Sequence, residues 1–291
     1  MNAAETLLAR SLEQPVPPEI AAMASHVRSA HDGVMAILAY GSCLRGIATT
    51  DSLIDLYVLT RDLAGVSANA LSRLGCRLIP PNVYYAECDI GGQRYRAKYA
   101  VLPMALFADG MTRSNPYFWA RFAQPTGLLW SRDRPTADAV RDALVQAILT
   151  TDGAARPLVG AADALTLWSR AFAESYRTEL RAEKPGRAAQ IVEGEFARYR
   201  RVAAALAGRP AEATAAAAAR RWFWRRLQGK GLSLLRLAKA SWTFAGGADY
   251  LAWKISRHAG VPVEFSPWER RHPFLAAPFV LWRLARRGAI R

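Results

Sequence analysis

The segment Tyr40-Gly41-Ser42, followed by a short acidic strand, combines residue types that bind phosphate and a hard cation. Glycine has no Cβ, so the backbone amides of this turn can approach phosphate oxygens closely, and Ser42 adds a hydroxyl donor. Asp55 offers carboxylate oxygens to Mg²⁺, which typically uses one or two protein carboxylates together with substrate phosphates. The spacing favours a metal-assisted site for a phosphorylated substrate. The alternative is an ordinary turn followed by an edge charge.

The acidic strand has one carboxylate fewer than the usual nucleotidyltransferase pattern, which ends in Asp-x-Asp. The first of those two positions is Leu53 in this chain, and the second is Asp55. Side chains alternate along an extended strand, so Asp51, Leu53 and Asp55 point to the same side. We therefore predict Asp55 as the principal metal ligand and Asp51 as a candidate second ligand at the strand entrance.

A second candidate surface lies on a β-hairpin around Gly91-Gly92, a strong signal for a two-residue turn between strands 82–90 and 93–102. This turn places six polar side chains on one face, in the cross-strand pairs Asp89 with Arg94, Glu87 with Arg96, and Tyr85 with Lys98. One interpretation is a solvated face with ion pairs worth a few tenths of a kcal/mol each. The other is a charged wall over a nucleotide, with Lys98 on a phosphate and Glu87 or Asp89 as a further metal ligand. The pattern favours the second interpretation for Lys98 and leaves both open for the carboxylates.

The elements that position these residues indicate an α+β fold, with a nucleotidyltransferase-like mixed sheet, flanking helices, a mainly helical second part and a basic amphipathic tail. The predicted strands are 33–39, 53–60, 82–90 and 93–102. The predicted helices lie within 1–32, broken by prolines, and at 104–112, 135–150, 161–181, 187–206 and 220–230, and the segment 117–124 carries Arg121. We expect three units: a nucleotidyltransferase domain at 1–135, a helical domain at 136–230 and a basic segment at 231–291.

The net charge of +15 lies mostly in the last quarter of the chain. Residues 220–291 contain 15 Lys and Arg against 3 Asp and Glu, and six of the nine tryptophans. This composition suits an anionic membrane surface, because Trp favours the headgroup layer and basic residues bind acidic lipid. A nucleic acid and a merely solvated basic face are the alternatives. Three scattered cysteines suggest neither a zinc site nor a disulfide framework, and no uncharged apolar run is long enough for a spanning helix.

Taken together, these segments resemble the mitochondrial-type CDP-diacylglycerol synthase family, also called the translocator assembly and maintenance family. The matching residues are Tyr40-Gly41-Ser42, Leu53-Ile54-Asp55, Val83-Tyr84-Tyr85, Lys98-Tyr99, Asn115, Tyr117, Arg121, Pro125, Ser175-Tyr176, Glu179, Arg181, Gly231-Leu232-Ser233, Arg236 and Lys239. That family also lacks the first carboxylate of Asp-x-Asp. The chain departs from it at Ala86, where the family usually has Asn, and at Leu180, which replaces an aromatic residue.

The resemblance implies an Mg²⁺-dependent phosphatidate cytidylyltransferase, which converts CTP and phosphatidic acid into CDP-diacylglycerol and pyrophosphate. The implied roles are Asp55 and Lys98 in catalysis, Gly41, Ser42, Tyr85, Asn115, Tyr117 and Arg121 at the nucleotide, Arg181, Arg236 and Lys239 at the lipid phosphate, and Asp55, Asp51 and Glu87 at the metal. We expect a peripheral protein on the cytoplasmic face of the inner membrane, with an interfacial helix within 273–291. A homodimer is possible, and no nucleic-acid partner is expected.

Two other functions remain open at this point. One is a nucleotidyltransferase of the same fold that acts on RNA, a protein or a small metabolite, and activity without lipid would favour it. The other is a non-catalytic basic protein that binds a membrane or nucleic acid, and absence of Mg²⁺-dependent CTP binding would favour that one.

Overall fold

A computed structural model describes residues 16–45, 53–160, 162–180, 186–243 and 264–271, together with single positions 247, 252, 256, 279, 282 and 283. The strands are β1 (Val34–Tyr40), β2 (Leu53–Thr60), β3 (Asn82–Ile90), β4 (Gln93–Pro103) and β5 (Thr126–Ser131). The helices are α1 (Pro18–Ser29), α2 (Ala70–Leu78), α3 (Met104–Gly110), α4 (Trp119–Phe122), α5 (Arg134–Val159), α6 (Ala164–Tyr176), α7 (Arg187–Gly194), α8 (Phe196–Ala205), α9 (Ala215–Thr243) and α10 (Pro267–Arg271). A 3₁₀ turn, Gly41–Arg45, follows β1.

The five strands form one mixed sheet in the order β3-β4-β2-β1-β5. Strands β2 and β4 are parallel, whereas the other neighbouring pairs are antiparallel. The central strands β1 and β2 are rich in aliphatic residues that are fully buried, such as Ile37, Leu38 and Val58. Burial on both faces explains these nearly continuous apolar runs. The mixed sheet with flanking helices confirms the predicted α+β class.

The β3–β4 hairpin has the predicted register, with Tyr85 opposite Lys98, Glu87 opposite Arg96, and Asp89 opposite Arg94. Gly91 and Gly92 have φ values of 58° and 78°. A two-residue turn that matches the twist of its strands needs positive φ at both central positions, which glycine adopts without steric cost. The glycine pair therefore sets the register, and with it the residues that share a face.

The helical half of the chain packs against the sheet through long helices that cross the predicted boundaries. Helix α5 begins at an N-cap in which the Asp133 side chain accepts a hydrogen bond from the Thr136 amide. Helix α9 packs back through Trp222, whose indole N–H donates to the Ala154 carbonyl at 2.9 Å. The expected domain boundaries at 135/136 and 230/231 fall inside α5 and α9. The predicted helix 187–206 is two helices, because the chain leaves helical geometry at Glu195.

The structure adds one strand to the predicted elements and describes little of the C-terminal segment. Strand β5, which pairs with β1, was not predicted from the sequence. Most of the predicted interfacial helix within 273–291 lies outside the described residues. In the part of the chain that the structure describes, no helix has the length and apolar character needed to cross a bilayer.

Candidate functional site

A cleft of about 200 Å³ lies at the end of β1, between the sheet and the helical half. Its walls come from five parts of the chain: the end of β1, strand β2, the segment around α4, the end of α6 with the residues just after it, and the start of α7. The lining residues are Tyr40, Gly41, Asp55, Pro116, Tyr117, Ala120, Arg121, Gln124, Ser175, Tyr176, Glu179, Arg187 and Ile191. Residues from Tyr40 to Ile191 therefore form one concave surface.

The floor of the cleft is the turn at Gly41, next to the Asp55 carboxylate. Gly41 has φ +82°, and a Cβ at this position would lie 3.5 Å from Asp55 Oδ2. The turn is held from below by Cys43, which is buried and donates from Sγ to the Tyr40 carbonyl at 3.0 Å. Burial and the charge of Asp55 raise the pKa of Tyr40, so this phenol stays protonated beside the carboxylate. Asp51 and the side chain of Ser42 lie outside the described parts of the chain.

Arg121 lies in an aromatic and acidic cage at the wall of the cleft. Its Nη1 donates to the Tyr57 hydroxyl at 2.8 Å, and its Nη2 is 3.9 Å from Glu179 Oε1. The guanidinium carbon is 4.5 Å from the centroid of the Tyr117 ring and 5.6 Å from that of Tyr40. Its side chain is only 20% exposed. The cage fixes the position of this cation, which is a requirement for preorganised charge in a phosphate site.

Helix α9 brings a second arginine to the back of the same tyrosine. The guanidinium carbon of Arg236 is 3.7 Å from the centroid of the Tyr117 ring, close enough for a cation–π contact. Burial raises the pKa of Tyr117, but the charges of Arg121 and Arg236 outweigh it and hold the pKa below its usual value. The Nε of Arg236 is buried and has no hydrogen-bond partner among the described residues. Arg236 thus lies behind the cleft wall rather than in the lining.

Asp55, Lys98 and Tyr85 form one row across the strands β2, β4 and β3. Asp55 is the register partner of Lys98, and Lys98 is the partner of Tyr85. Paired residues in a sheet project from the same face, so the structure brings the three side chains side by side. The cleft lining includes Asp55, whereas Lys98 and Tyr85 lie one and two strands further along the sheet.

Glu87 does not join Asp55 in a shared metal site, contrary to the prediction. It lies two strand spacings from Asp55, roughly 10 Å, and one side-chain row away. Its carboxylate accepts from the Tyr85 hydroxyl at 2.7 Å and from Arg96 Nε at 3.2 Å. Its environment is the surface ion-pair face that was the alternative interpretation of the hairpin.

Lys239 does not face a lipid site either. It is 3% exposed, and its Nζ donates to the carbonyls of Ile79 and Pro81 at 2.5 and 2.6 Å and to Asn82 Oδ1 at 3.1 Å. An ammonium group has three donors, and all three are used here. Lys239 therefore fastens α9 to the segment before β3, which corrects its predicted role. Arg181, the third residue predicted at the lipid phosphate, lies outside the described residues.

Asn115 helps to position Tyr117 in the cleft wall but does not itself line the cleft. Its Oδ1 accepts a hydrogen bond from the Tyr117 amide at 3.1 Å, which shapes the turn into α4. The cleft also contains Arg187, which sequence reasoning did not select. The signal available in the sequence was its position directly after Gly186, at the predicted start of a helix. In the structure Gly186 has φ +82° and is the N-cap of α7. Tyr57 was also missed, because it looks like one more apolar residue of a buried strand.

The residues present fit a cation held jointly by protein and substrate rather than by a protein cage. Among the described residues, no group of three or more His, Cys, Asp or Glu side chains could hold a metal ion. The cleft lining has two carboxylates, Asp55 and Glu179, and Glu179 Oε1 lies 3.9 Å from Arg121 Nη2. Asp55 is the carboxylate beside the turn, where Gly41 leaves open space next to its Oδ2. Mg²⁺ commonly takes one or two carboxylates and completes its shell with waters and substrate phosphates.

Comparison with solved structures relates the chain to a nucleotidyltransferase-like protein from Exiguobacterium sibiricum 255-15. The match covers 94% of this chain and 92% of that chain, with 13% sequence identity and a TM-score of 0.27. We draw no conclusion about fold or function from a match with this TM-score. No protein-family model matches the sequence, and no curated protein does. We therefore infer the function from the geometry of the cleft.

Proposed function

We propose that the chain is a nucleotidyltransferase, and specifically a phosphatidate cytidylyltransferase that uses CTP, phosphatidic acid and Mg²⁺. One observation carries the proposal. The segments that the family resemblance matched by their order along the chain meet around one cleft. They are Tyr40-Gly41, Asp55, Tyr117, Arg121, Ser175-Tyr176 and Glu179. Arg236, from the resembling segment furthest along the chain, lies directly behind Tyr117.

The proposed reaction makes one bond and breaks another at the α-phosphorus of CTP. An oxygen of the phosphatidate phosphate attacks this phosphorus and forms the new P–O bond. The bond from the α-phosphorus to the oxygen that bridges to the β-phosphate breaks, and pyrophosphate leaves with its electron pair. The attacking oxygen is already anionic near neutral pH, so no strong general base is required. Catalysis of this kind is mainly positioning and charge neutralisation.

The cleft residues have the positions that these tasks need. Mg²⁺, when bound, would supply neutralisation of the triphosphate charge. Asp55 would hold the Mg²⁺ beside the turn, where Gly41 leaves room for the nucleotide phosphates. Arg121 would hold its charge at the opposite wall, since Tyr57 and Glu179 fix its guanidinium before substrate arrives. Lys98 would add a second cation from the neighbouring strand.

The exposed face of α9 supports the proposed lipid acceptor. Extracting two acyl chains from a bilayer costs about 0.8 kcal/mol per CH₂, so the enzyme must work at the membrane surface. Trp222 and Lys239 are buried on one face of α9, while the other carries exposed apolar side chains: Phe223, Trp224, Leu227, Leu234, Leu235, Leu237 and Trp242. Residues 213–243 contain no Asp or Glu. An apolar and basic face of this kind suits acidic lipid headgroups.

A nucleotide panel tests the proposal. Full-length protein is incubated with CTP, ATP, GTP or UTP and Mg²⁺, with and without phosphatidic acid in micelles, and pyrophosphate release is measured. The proposal predicts release only with CTP and phosphatidic acid together. Release without lipid would indicate another acceptor. No release in any mixture, combined with no Mg²⁺-dependent CTP binding, would contradict nucleotidyl transfer altogether.

A further inference from the structure

A second cavity, of about 330 Å³, lies between α5, the segment 209–213 and the first turns of α9. It shares no lining residue with the cleft at Asp55. Three arginines line it, Arg209, Arg221 and Arg225, against one acidic side chain, Glu212. Glu212 Oε1 is 3.3 Å from Arg209 Nη2, so that carboxylate is paired with Arg209. The cavity therefore has an excess of positive charge.

Arg221 and Arg225 supply this excess positive charge. They are four residues apart on α9, and like charges at this spacing destabilise a helix. Among the described residues, neither forms a salt bridge with a carboxylate. Burial and the charge of Arg221 lower the pKa of Arg225 to about 10. The Nη1 of Arg209 is also buried without a hydrogen-bond partner in the described structure.

The guanidinium of Arg225 is held in position by its neighbours. Its Nε donates to the Ser114 carbonyl at 3.0 Å, and its guanidinium carbon is 4.9 Å from the Trp222 ring centroid. Such a fixed planar group with remaining N–H donors is suited to oxyanions, because guanidinium geometry matches phosphate oxygens. Ser114 immediately precedes Asn115, the residue that shapes the turn carrying Tyr117 into the cleft.

We propose that this cavity is a second anion site, which binds a phosphate group through Arg221 and Arg225. The shared chemistry is a phosphate or pyrophosphate oxyanion, carried either by a free anion or by the headgroup of an acidic lipid. The cavity volume falls in the range of small-molecule sites. The site is built from residues outside the catalytic cleft, so it does not depend on the proposed enzymatic activity.

The test uses the full chain and two variants that remove the same charge. Arg220 and Arg221 are both exposed, but only Arg221 lines the cavity, so Arg221→Gln alters the cavity and Arg220→Gln is the matched control. Sodium pyrophosphate is titrated into each protein at constant ionic strength in a calorimeter, and the dissociation constants are compared. In a second arm, phosphatidylcholine vesicles with or without phosphatidic acid are used in a flotation assay.

We expect Arg221→Gln to weaken binding about tenfold in at least one arm, while Arg220→Gln changes it by less than about twofold. A selective loss with pyrophosphate identifies a free anion, and a selective loss only with phosphatidic acid vesicles identifies a headgroup. If both variants weaken binding equally, the effect comes from net charge rather than from the cavity, and the proposal is wrong. Unchanged binding by Arg221→Gln in both arms would overturn it as well.

Discussion

Replacement of Lys239 by methionine separates two accounts of this residue. In the sequence-based account Lys239 binds the lipid phosphate, so Lys239→Met weakens lipid use and leaves stability unchanged. In the structure its ammonium donates to two carbonyls and Asn82 Oδ1, and its stem packs beside Gly75, where a Cβ would lie 3.2 Å from the lysine Cδ. The structural account therefore predicts a loss of folding free energy.

The contacts allow an estimate of the size of that loss. Methionine preserves most of the stem packing but leaves three buried acceptors without a donor. Each unsatisfied buried group costs about 1–3 kcal/mol, and removal of a desolvated charge offsets part of the sum. We expect a net destabilisation of about 3 kcal/mol. For a protein of this size that corresponds to a decrease in Tm of roughly 6–12 °C.

Thermal and urea unfolding of the full chain measure this effect, with Lys230→Met as the matched control. Lys230 is exposed on the same helix, so its replacement removes the same charge and should change stability by less than about 0.5 kcal/mol. If Lys239→Met unfolds at the same temperature as Lys230→Met, the buried hydrogen-bond role is wrong.

The pH dependence of stability gives a second measurement on the same residue. Burial lowers the pKa of Lys239 to about 8, whereas an unfolded lysine has a pKa of about 10.4. Between these two values only the unfolded chain binds the proton, so the wild-type free energy of unfolding should rise as pH increases. The gain is of the order of 3 kcal/mol at most. Lys239→Met should lack this rise, and an identical pH profile in both proteins would contradict the buried position.

Three further substitutions probe the cleft and its supports. Gly41→Ala should cost about 1 kcal/mol of stability, because φ is +82°, and should lower kcat about tenfold, because the added methyl group would occupy the space beside Asp55 Oδ2; an unchanged kcat would exclude close approach of substrate at this turn. Tyr57→Phe removes the acceptor of the Arg121 hydrogen bond and should raise KM for the nucleotide with a loss of about 1 kcal/mol in urea unfolding; unaltered kinetics would mean that this bond does not position Arg121. Glu174→Gln should lower the free energy of unfolding, measured with urea, by about 2–4 kcal/mol. A loss smaller than that of the control Glu193→Gln, at an exposed position, would contradict the buried ion-pair cluster. Glu174 is 2% exposed and pairs with Arg170, Arg177 and Arg226.

The hairpin shows what local sequence signals can determine. Alternating side chains and the Gly91-Gly92 turn define both strands and their register, because a two-residue turn permits few alternatives. The bounds of the acidic strand around Asp55 were predicted equally well, because polar residues flank its aliphatic run on both sides. Strand β5 escaped prediction because it is a six-residue strand at the sheet edge with little alternation in burial.

The far wall of the cleft and the place of Lys239 depend on tertiary packing that no local pattern contains. Ser175 and Glu179 approach Asp55 only because α6 and the segment around α4 both pack on α5. Lys239 belongs to a basic segment, which favours a surface position. It is buried because α9 covers the segment between α2 and β3, where the carbonyl groups of Ile79 and Pro81 need a hydrogen-bond donor. The two helices that cross the expected domain boundaries reflect the same packing.

Magnesium-dependent binding of CTP to Asp55→Asn is the most direct test of the central claim, that Asp55 and the Gly41 turn hold a metal-bound nucleotide. Calorimetric titrations with CTP, with and without Mg²⁺, are compared for wild type, Asp55→Asn and the exposed-site control Asp142→Asn. The account predicts that Mg²⁺ strengthens CTP binding in wild type and in Asp142→Asn, and that this gain is lost in Asp55→Asn while the melting curve is nearly unchanged. An undiminished magnesium effect in a folded Asp55→Asn protein would contradict it.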